Sequence, residues 1–219
     1  IAEISSNHRG SFEVAERLLI EIANAGADAV KFQTFTPESM TVKSTGANFT
    51  IDDANSPWRG RSLYGLYAEA QTPWAWLEDL FDVAKENGLE PFSTPFDFRA
   101  VDFLEELGVG RYKIASFENG DHELLRYVAQ TGKPVILSLG MLSLKGIAES
   151  VECLEMAGCT DITLLKCTSV YPAPPEQLNL QTIVDLRERF GYPIGFSDHS
   201  VGVGAAIASA ALGAEVIEK

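Results

Sequence analysis

The sequence is short of positive charge, with 17 Lys and Arg against 31 Asp and Glu in 219 residues, a formal net charge of −14. A nucleic-acid partner requires a basic stripe, and no cluster of Lys or Arg supplies one, so nucleic-acid binding is excluded. A small anionic substrate is not excluded, because a few nearby ammonium groups outweigh a distant surface charge that salt screens. Cysteine is also scarce. Cys153, Cys159 and Cys167 are odd in number and lack metal-ligand spacing, which reads as reduced thiols in a cytoplasmic protein. No run of about 18 apolar residues and no signal-peptide pattern is present, so no membrane association is expected. The first residue is not Met and the last falls in a strand-like run, so the chain is expected to belong to a longer protein and to lack residues at both ends.

What is present is a rhythm. Short apolar runs occupy 1–6, 29–34, 90–94, 111–116, 135–138, 162–167, 194–197 and 214–219. Between them, amphipathic stretches at 12–25, 74–87, 101–107, 123–131, 147–157 and 178–190 repeat apolar residues every three or four positions. Strands alternating with helices pair in parallel. Several helix-to-strand joints carry the same punctuation, Ala25-Gly26-Ala27-Asp28, Ala157-Gly158-Cys159 and Leu212-Gly213-Ala214, where Gly can take the left-handed conformation that ends a helix. The units share no fixed length or side-chain template, which argues against a solenoid. One (β/α)8 TIM barrel over 1–219, truncated at its end and so an incomplete ring, is the expected fold. A doubly wound open sheet is the other arrangement that the alternation allows.

The segment 35–71 breaks the rhythm. It is rich in Ser, Thr, Asn, Gly and aromatics, including Trp58, Tyr64 and Tyr67. On a barrel it leaves the carboxyl-terminal face, where a long ordered loop lids or lines a site; Pro57 and the aromatics speak against a floppy insertion.

Each run delivers polar groups to its carboxyl end. In chain order these are Glu3, with Asn7 and His8 beyond it; Lys31 and Gln33; Ser93 and Thr94; Lys113, Ser116 and Glu118; Ser138; Lys166, Thr168 and Ser169; Ser197, Asp198 and His199; and Glu218 with Lys219. Hydroxyls and ammonium groups converging on one cavity suit a phosphate and a carboxylate. Glu3 and Glu118 add candidate bases, and His199 a metal ligand or proton carrier. Each has a plainer alternative: Lys31 and Lys113 can spend their charge on ion pairs with Glu3 or Glu118, and strand-end Ser and Thr can simply cap the next helix.

The motifs Ala2-Glu3-Ile4-Ser5-Ser6-Asn7-His8, Val30-Lys31-Phe32-Gln33, Phe92-Ser93-Thr94-Pro95-Phe96-Asp97, Lys113-Ile114-Ala115-Ser116-Phe117-Glu118, Gly195-Phe196-Ser197-Asp198-His199 and Val216-Ile217-Glu218-Lys219 resemble the sialic acid synthase family, in the family's order along essentially the whole chain. Ala115, Phe117, Thr72-Pro73-Trp74 and Tyr171-Pro172-Ala173-Pro174-Pro175 are most similar to the branch that makes pseudaminic acid.

The resemblance implies a phosphoenolpyruvate-condensing barrel followed by a small antifreeze-like domain that this chain lacks, working as a homodimer. Glu3, Lys31 and Lys113 become the candidate catalytic residues, with Glu3 guiding the attacking water. Thr94, Lys113, Ser116, Ser138 and Ser197 would hold phosphoenolpyruvate. Lys31, Gln33 and Tyr171 would face an acetamido sugar, with Glu118 and Ser169 also touching substrate. His199 would bind Mn2+ or Mg2+ with a second His expected just after Lys219. The expected product is a nine-carbon 2-keto sugar acid, with the neuraminate- and legionaminate-forming branches as alternatives. A Schiff-base aldolase and a non-catalytic sugar-phosphate binding barrel are more distant ones. Departures from the family pattern at Lys166 and Leu139 are expected to alter the phosphate pocket, and Asn119-Gly120 to loosen the turn after Glu118.

Overall fold

The computed structural model describes every residue except Asn55 and Pro57, so the role expected of Pro57 in the long loop lies outside the described residues. Eight parallel strands follow in order: β1 (Ala2–Glu3), β2 (Ala29–Thr34), β3 (Glu90–Pro95), β4 (Tyr112–Ile114), β5 (Val135–Ser138), β6 (Ile162–Cys167), β7 (Ile194–Ser197) and β8 (Ile217–Glu218). Each pairs with the next. The expected incomplete ring is corrected at its seam. Ile1 N donates to Ile217 O at 2.8 Å, Lys219 N to Ile1 O at 3.0 Å and Glu3 N to Lys219 O at 2.8 Å, so the backbone of the last strand returns to the first and the strand ring closes.

Helices α1 (Phe12–Asn24), α2 (Pro37–Met40), α3 (Leu63–Ala70), α4 (Trp74–Glu86), α5 (Phe98–Glu106), α6 (His122–Ala129), α7 (Leu144–Met156), α8 (Thr182–Phe190) and α9 (Gly204–Ala211) complete the described elements. The amphipathic stretches become α1, α4, α5, α6, α7 and α8. Gly26, Gly158 and Gly213 follow their helices at φ of +84°, +100° and +83°, as the punctuation requires. Outward-facing strand residues such as Val30, Phe32, Tyr112, Ile114, Leu164 and Phe196 are buried under these helices and form the main core. The 35–71 segment is ordered: it holds α2, a 3-10 turn at Ala47–Phe49, an antiparallel bridge between Thr50 and Ser62, and α3. Tyr64 and Tyr67 are engaged within it, whereas Trp58 is exposed. Tyr64 donates to Glu38, and the Tyr67 ring meets Phe35 edge-on at 5.9 Å.

The barrel interior has two contrasting layers. Ala29, Phe92, Ile136 and Leu165 cluster with Ile1 and Val216 towards the amino-terminal ends of the strands. Because strand side chains alternate, the residues two positions on also point inward, nearer the carboxyl ends. They are Glu3, Lys31, Thr94, Ser138, Cys167 and Glu218, joined by Lys113 and Ser197. A cavity of about 870 Å³ is lined by Ile22 of α1 and Ala25 just after it, by Ala2 and Ile217, and by Asp28, Glu90 and Arg111 at the amino-terminal ends. Of the polar strand-end groups only Lys219 lines it.

Candidate active site

The upper interior layer is a charge network. Lys31, 4% exposed, pairs with Glu3, whose other oxygen accepts from Ser5 N at 2.8 Å. Burial pulls the Lys31 pKa down to about 8, against the attraction of Glu218. Lys113, 2% exposed, donates to Ser138 Oγ at 2.7 Å and faces Glu218 Oε2 at 3.4 Å. Glu218 Oε1 accepts from Ser197 Oγ at 3.0 Å. Burial opposes its ionisation, but Lys113 and Lys31 together hold its pKa well below the ordinary carboxylate range. Two ammonium groups and two carboxylates thus share one buried layer.

Glu218 is the residue that sequence reasoning left out of the site. It was expected only as one polar strand-end group, and Lys113 was expected to pair with Glu3 or Glu118. The signal was available: a Glu two positions after Val216 in a strand whose Val points inward must point inward too. The same alternation corrects several other expectations. Ser93 bonds Thr34 at 2.7 Å outside the barrel, and Asp198 accepts from Lys219 at 2.7 Å on the outer side of β7 and β8. Lys166 bonds Thr168 Oγ1 and lies 5.9 Å over the Phe196 ring, behind the strands. Leu139 is buried in the helix–strand core. Neither Lys166 nor Leu139 therefore reshapes the interior pocket. His8 is structural: its Nδ1 accepts from Gly10 N at 3.0 Å and its Nε2 bonds Thr72 at 3.1 Å.

In this layer and at its rim lie polar atoms without a hydrogen bond inside the protein. Thr94 Oγ1, Ser116 Oγ and Glu118 Oε2 are buried without a hydrogen-bond partner among the described residues, while Glu218 Oε2 has only its ion pair with Lys113. A buried polar atom without a partner costs about 1–3 kcal/mol, and three at one mouth suit a ligand that supplies the missing bonds. The helix-capping alternative for these hydroxyls is not what is seen. Ser11, Asp97, Asp121 and Ser143, further along the loops, cap α1, α5, α6 and α7. Glu118 is half-buried, and its pKa is pushed up to about 7 by that burial, more than Lys113 draws it down.

Gly140 shows how close the loops come. A Cβ there would lie 2.3 Å from Ser169 Oγ and 2.7 Å from Ser116 Oγ, so only glycine admits the approach. Ser169 thus stands beside Ser116. Gln33 Oε1 accepts from Ser5 Oγ at 3.2 Å, near the Glu3 end of the ring. The expected loosening after Glu118 is corrected as well, because Asn119 Nδ2 donates to Ser138 O at 2.9 Å and Gly140 O at 2.8 Å and ties the turn down.

His199 sits at the β7 mouth with Tyr171 over its ring, centroids 4.2 Å apart. Its Nδ1 donates to Thr168 O at 2.9 Å, which directs Nε2 towards Ser197 Oγ at 3.5 Å. Burial lowers its pKa, but bonds to Cys167 and the Thr168 carbonyl outweigh that and raise it. An imidazole whose Nδ1–H is held by a carbonyl is oriented to offer Nε2 to a cation. The donor chemistry therefore fits one corner of a divalent-metal site. Among the described residues no group of three or more His, Cys, Asp or Glu is placed to hold an ion.

The model of the NeuB family matches residues 18–219. The chain belongs to the NeuB family. It is 42% identical over its whole length to a pseudaminic acid synthase of Campylobacter jejuni and spans 63% of that protein. It is 36% identical to an N,N'-diacetyllegionaminic acid synthase of the same organism and spans 66% of it. Among solved structures, an N-acetylneuraminic acid synthetase from Leptospira borgpetersenii in complex with citrate superposes on the entire chain with a TM-score of 0.87 at 32% identity, the match covering 70% of that protein. Among the described residues no helix is long and apolar enough to cross a membrane.

Proposed function

We propose that the protein to which this NeuB-family chain belongs condenses phosphoenolpyruvate with the open-chain form of an acetamido sugar, giving a nine-carbon 2-keto sugar acid and phosphate. The observation that carries the reading is the set of unpartnered buried oxygens at Thr94, Ser116 and Glu118 at the carboxyl end of the strand ring that also carries the buried ammonium groups of Lys31 and Lys113. Lys31 and Lys113, though each is paired with a carboxylate, can turn N–H donors to an anion, and hydroxyls without partners fit the phosphate and carboxylate oxygens of phosphoenolpyruvate.

The division of labour follows from protonation. Lys113 is held rigidly between Ser138 and Glu218, so it meets the anion without rearranging. Ser116, Ser138 and Ser197 complete the cradle. The methylene carbon of phosphoenolpyruvate forms a bond to the sugar aldehyde carbon. Glu118, which keeps its proton up to about pH 7, is suited to protonate the oxygen that becomes a hydroxyl. Glu3, fixed by Ser5 N and Lys31, then directs water onto the former enol carbon. Collapse of that adduct breaks the C–O bond and releases phosphate. His199 would hold a divalent cation, Mn2+ or Mg2+, which when bound supplies Lewis-acid polarisation of the aldehyde oxygen.

The sugar is proposed to be a 2,4-diacetamido-2,4,6-trideoxy hexose, yielding pseudaminic acid. Phe117, 64% exposed, and Met141, 71% exposed, offer apolar surface beside Ser116 and Gly140 to a sugar with several methyl groups. Relatives named as pseudaminic acid synthases at 41–42% identity over all of this chain support the same choice. A homodimer and a cytoplasmic setting belong to the same reading, the latter supported by three cysteines outside any disulfide. Phosphate release by the whole protein should require phosphoenolpyruvate and sugar together. N-acetylmannosamine should be used about 5- to 150-fold less well, since burying an unpartnered hydroxyl costs about 1–3 kcal/mol. Release without sugar, or a preference for N-acetylmannosamine, would overturn the respective part.

The Lys31 pKa of about 8 favours one second reading, an imine-forming aldolase. Borohydride in the presence of pyruvate would trap an adduct on Lys31 in that case and leave the proposed synthase unlabelled.

A further inference from the structure

The turn after β4 is braced from within by a side chain that faces no open space. Asn119 is 2% exposed, and both hydrogens of its amide are spent on the chain that leaves β5, Nδ2 lying 2.9 Å from Ser138 O and 2.8 Å from Gly140 O. Its orientation is not arbitrary, because the flipped amide would set Oδ1 against two carbonyl oxygens. Its own backbone carbonyl is held by Ser150 Oγ of α7 at 2.7 Å, and Ser150 is 1% exposed. The carbonyls of residues 138 and 140 thus converge on one amide across Leu139, whose side chain anchors the opposite side in the core. This grip brings Gly140 so close to Ser116 and Ser169 that a Cβ would lie 2.7 and 2.3 Å from their hydroxyls. Ser138, at the other end of the grip, receives the Lys113 ammonium at 2.7 Å. The end of β5 and the loops after β4 and β6 therefore present hydroxyls close together around the chain that one buried amide holds.

We propose that Asn119 is a positioning residue for the anion cradle: it latches the β4 and β5 loops so that Ser116, Ser138 and Ser169 meet the phosphoenolpyruvate anion together, without touching that ligand itself. The inference rests on the proposed function for the identity of the anion, not for the latch. A plain structural brace would lower thermal stability and leave the affinity of correctly folded molecules for anions unchanged.

The two roles separate in Asn119→Leu, which keeps a similar volume, adds no charge and removes both N–H donors, assayed in the whole protein. The KM for phosphoenolpyruvate and the inhibition constant of inorganic phosphate should each rise about tenfold or more, since sub-ångström displacement of positioning groups is felt on this scale. The KM for the sugar should stay within about twofold. Ser150→Ala keeps the amide and loosens only its outer support, so it should shift the phosphate inhibition constant the same way by about threefold, and it serves if the Leu variant does not fold. Unchanged phosphate and phosphoenolpyruvate constants beside a lowered melting temperature would overturn the proposal. If the unaltered protein consumes no phosphoenolpyruvate with any sugar, the functional reading fails instead. Calorimetric binding of inorganic phosphate to the unaltered protein and to both variants then still decides the latch: weaker binding by the variants supports it and equal binding overturns it.

Discussion

The two layers inside the barrel are built by the same strands, two residues apart, and have opposite character. Ile1, Ala29, Phe92, Ile136, Leu165 and Val216 fill the lower layer with apolar volume. Glu3, Lys31, Thr94, Ser138, Cys167 and Glu218, two positions on in each case, fill the upper layer with charge and hydroxyls. The lower layer is the cheaper way to fill a barrel, since burying apolar side chains stabilises by about 25 cal/mol per Å², whereas taking ion pairs out of water often costs more than their attraction returns. A charged layer set on an apolar one is thus a feature that stability alone would not select. The difference teaches that folding is carried by the lower layer and the outer helix shell, while the upper layer is the one free to serve the proposed binding.

The largest effect is expected from breaking the upper layer alone. Lys113→Met should reduce turnover by about 10²- to 10³-fold, the usual cost of removing a preorganised charge from a reacting anion. It also strands Glu218, so the melting temperature should fall; adding Glu218→Gln should recover it without recovering turnover. Recovery of both together would mean that the pair is structural.

Glu118→Gln comes next, at about 10²-fold in kcat. Burial raises the Glu118 pKa to about 7, so the protonated fraction and the rate it supports are high below that pH and decline as pH rises through it. The variant should lose this limb of the pH–rate profile. A limb that persists in the variant belongs to another group.

The smallest effect on turnover is expected in the lower layer. Ile136→Ala removes buried methyl groups two residues below Ser138 and should cost about 2–5 kcal/mol of stability while leaving the KM for phosphoenolpyruvate within about twofold. Denaturant unfolding with parallel kinetics would show whether the layers are separable, and a KM that rises with the loss of stability would join them.

The alternation of apolar runs and amphipathic stretches made the eight strands legible, because each strand needs cover on its outer face and each helix has only one face to give. The inward identity of Lys31 and Lys113 was legible too, as buried lysines in apolar strands demand partners. Their partners were harder to see. Strand parity could assign Glu218 to the interior, but the Lys113 partner depends on which strands face each other across the ring, which only closure decides. Parity likewise separates Lys166 and Asp198 from the pocket once β6 and β7 are in register, whereas in the sequence they stand beside Cys167 and Ser197 as equals. Asn119 was misread because Asn-Gly is ordinarily a turn signal, and nothing local shows that its amide reaches two carbonyls of the next loop. The ring closure at Ile1 and Lys219 was hidden for a similar reason, since it joins the two ends of the chain.

The central claim is that the upper layer grips phosphoenolpyruvate so that water adds to carbon and phosphate leaves by C–O cleavage. Running the whole protein with phosphoenolpyruvate and the diacetamido sugar in 18O-labelled water tests this on the released phosphate. The expected result is phosphate free of 18O, because its bridging oxygen comes from phosphoenolpyruvate. Phosphate carrying one 18O atom would show that water attacks phosphorus and would contradict the assignment of Glu3 to the enol carbon.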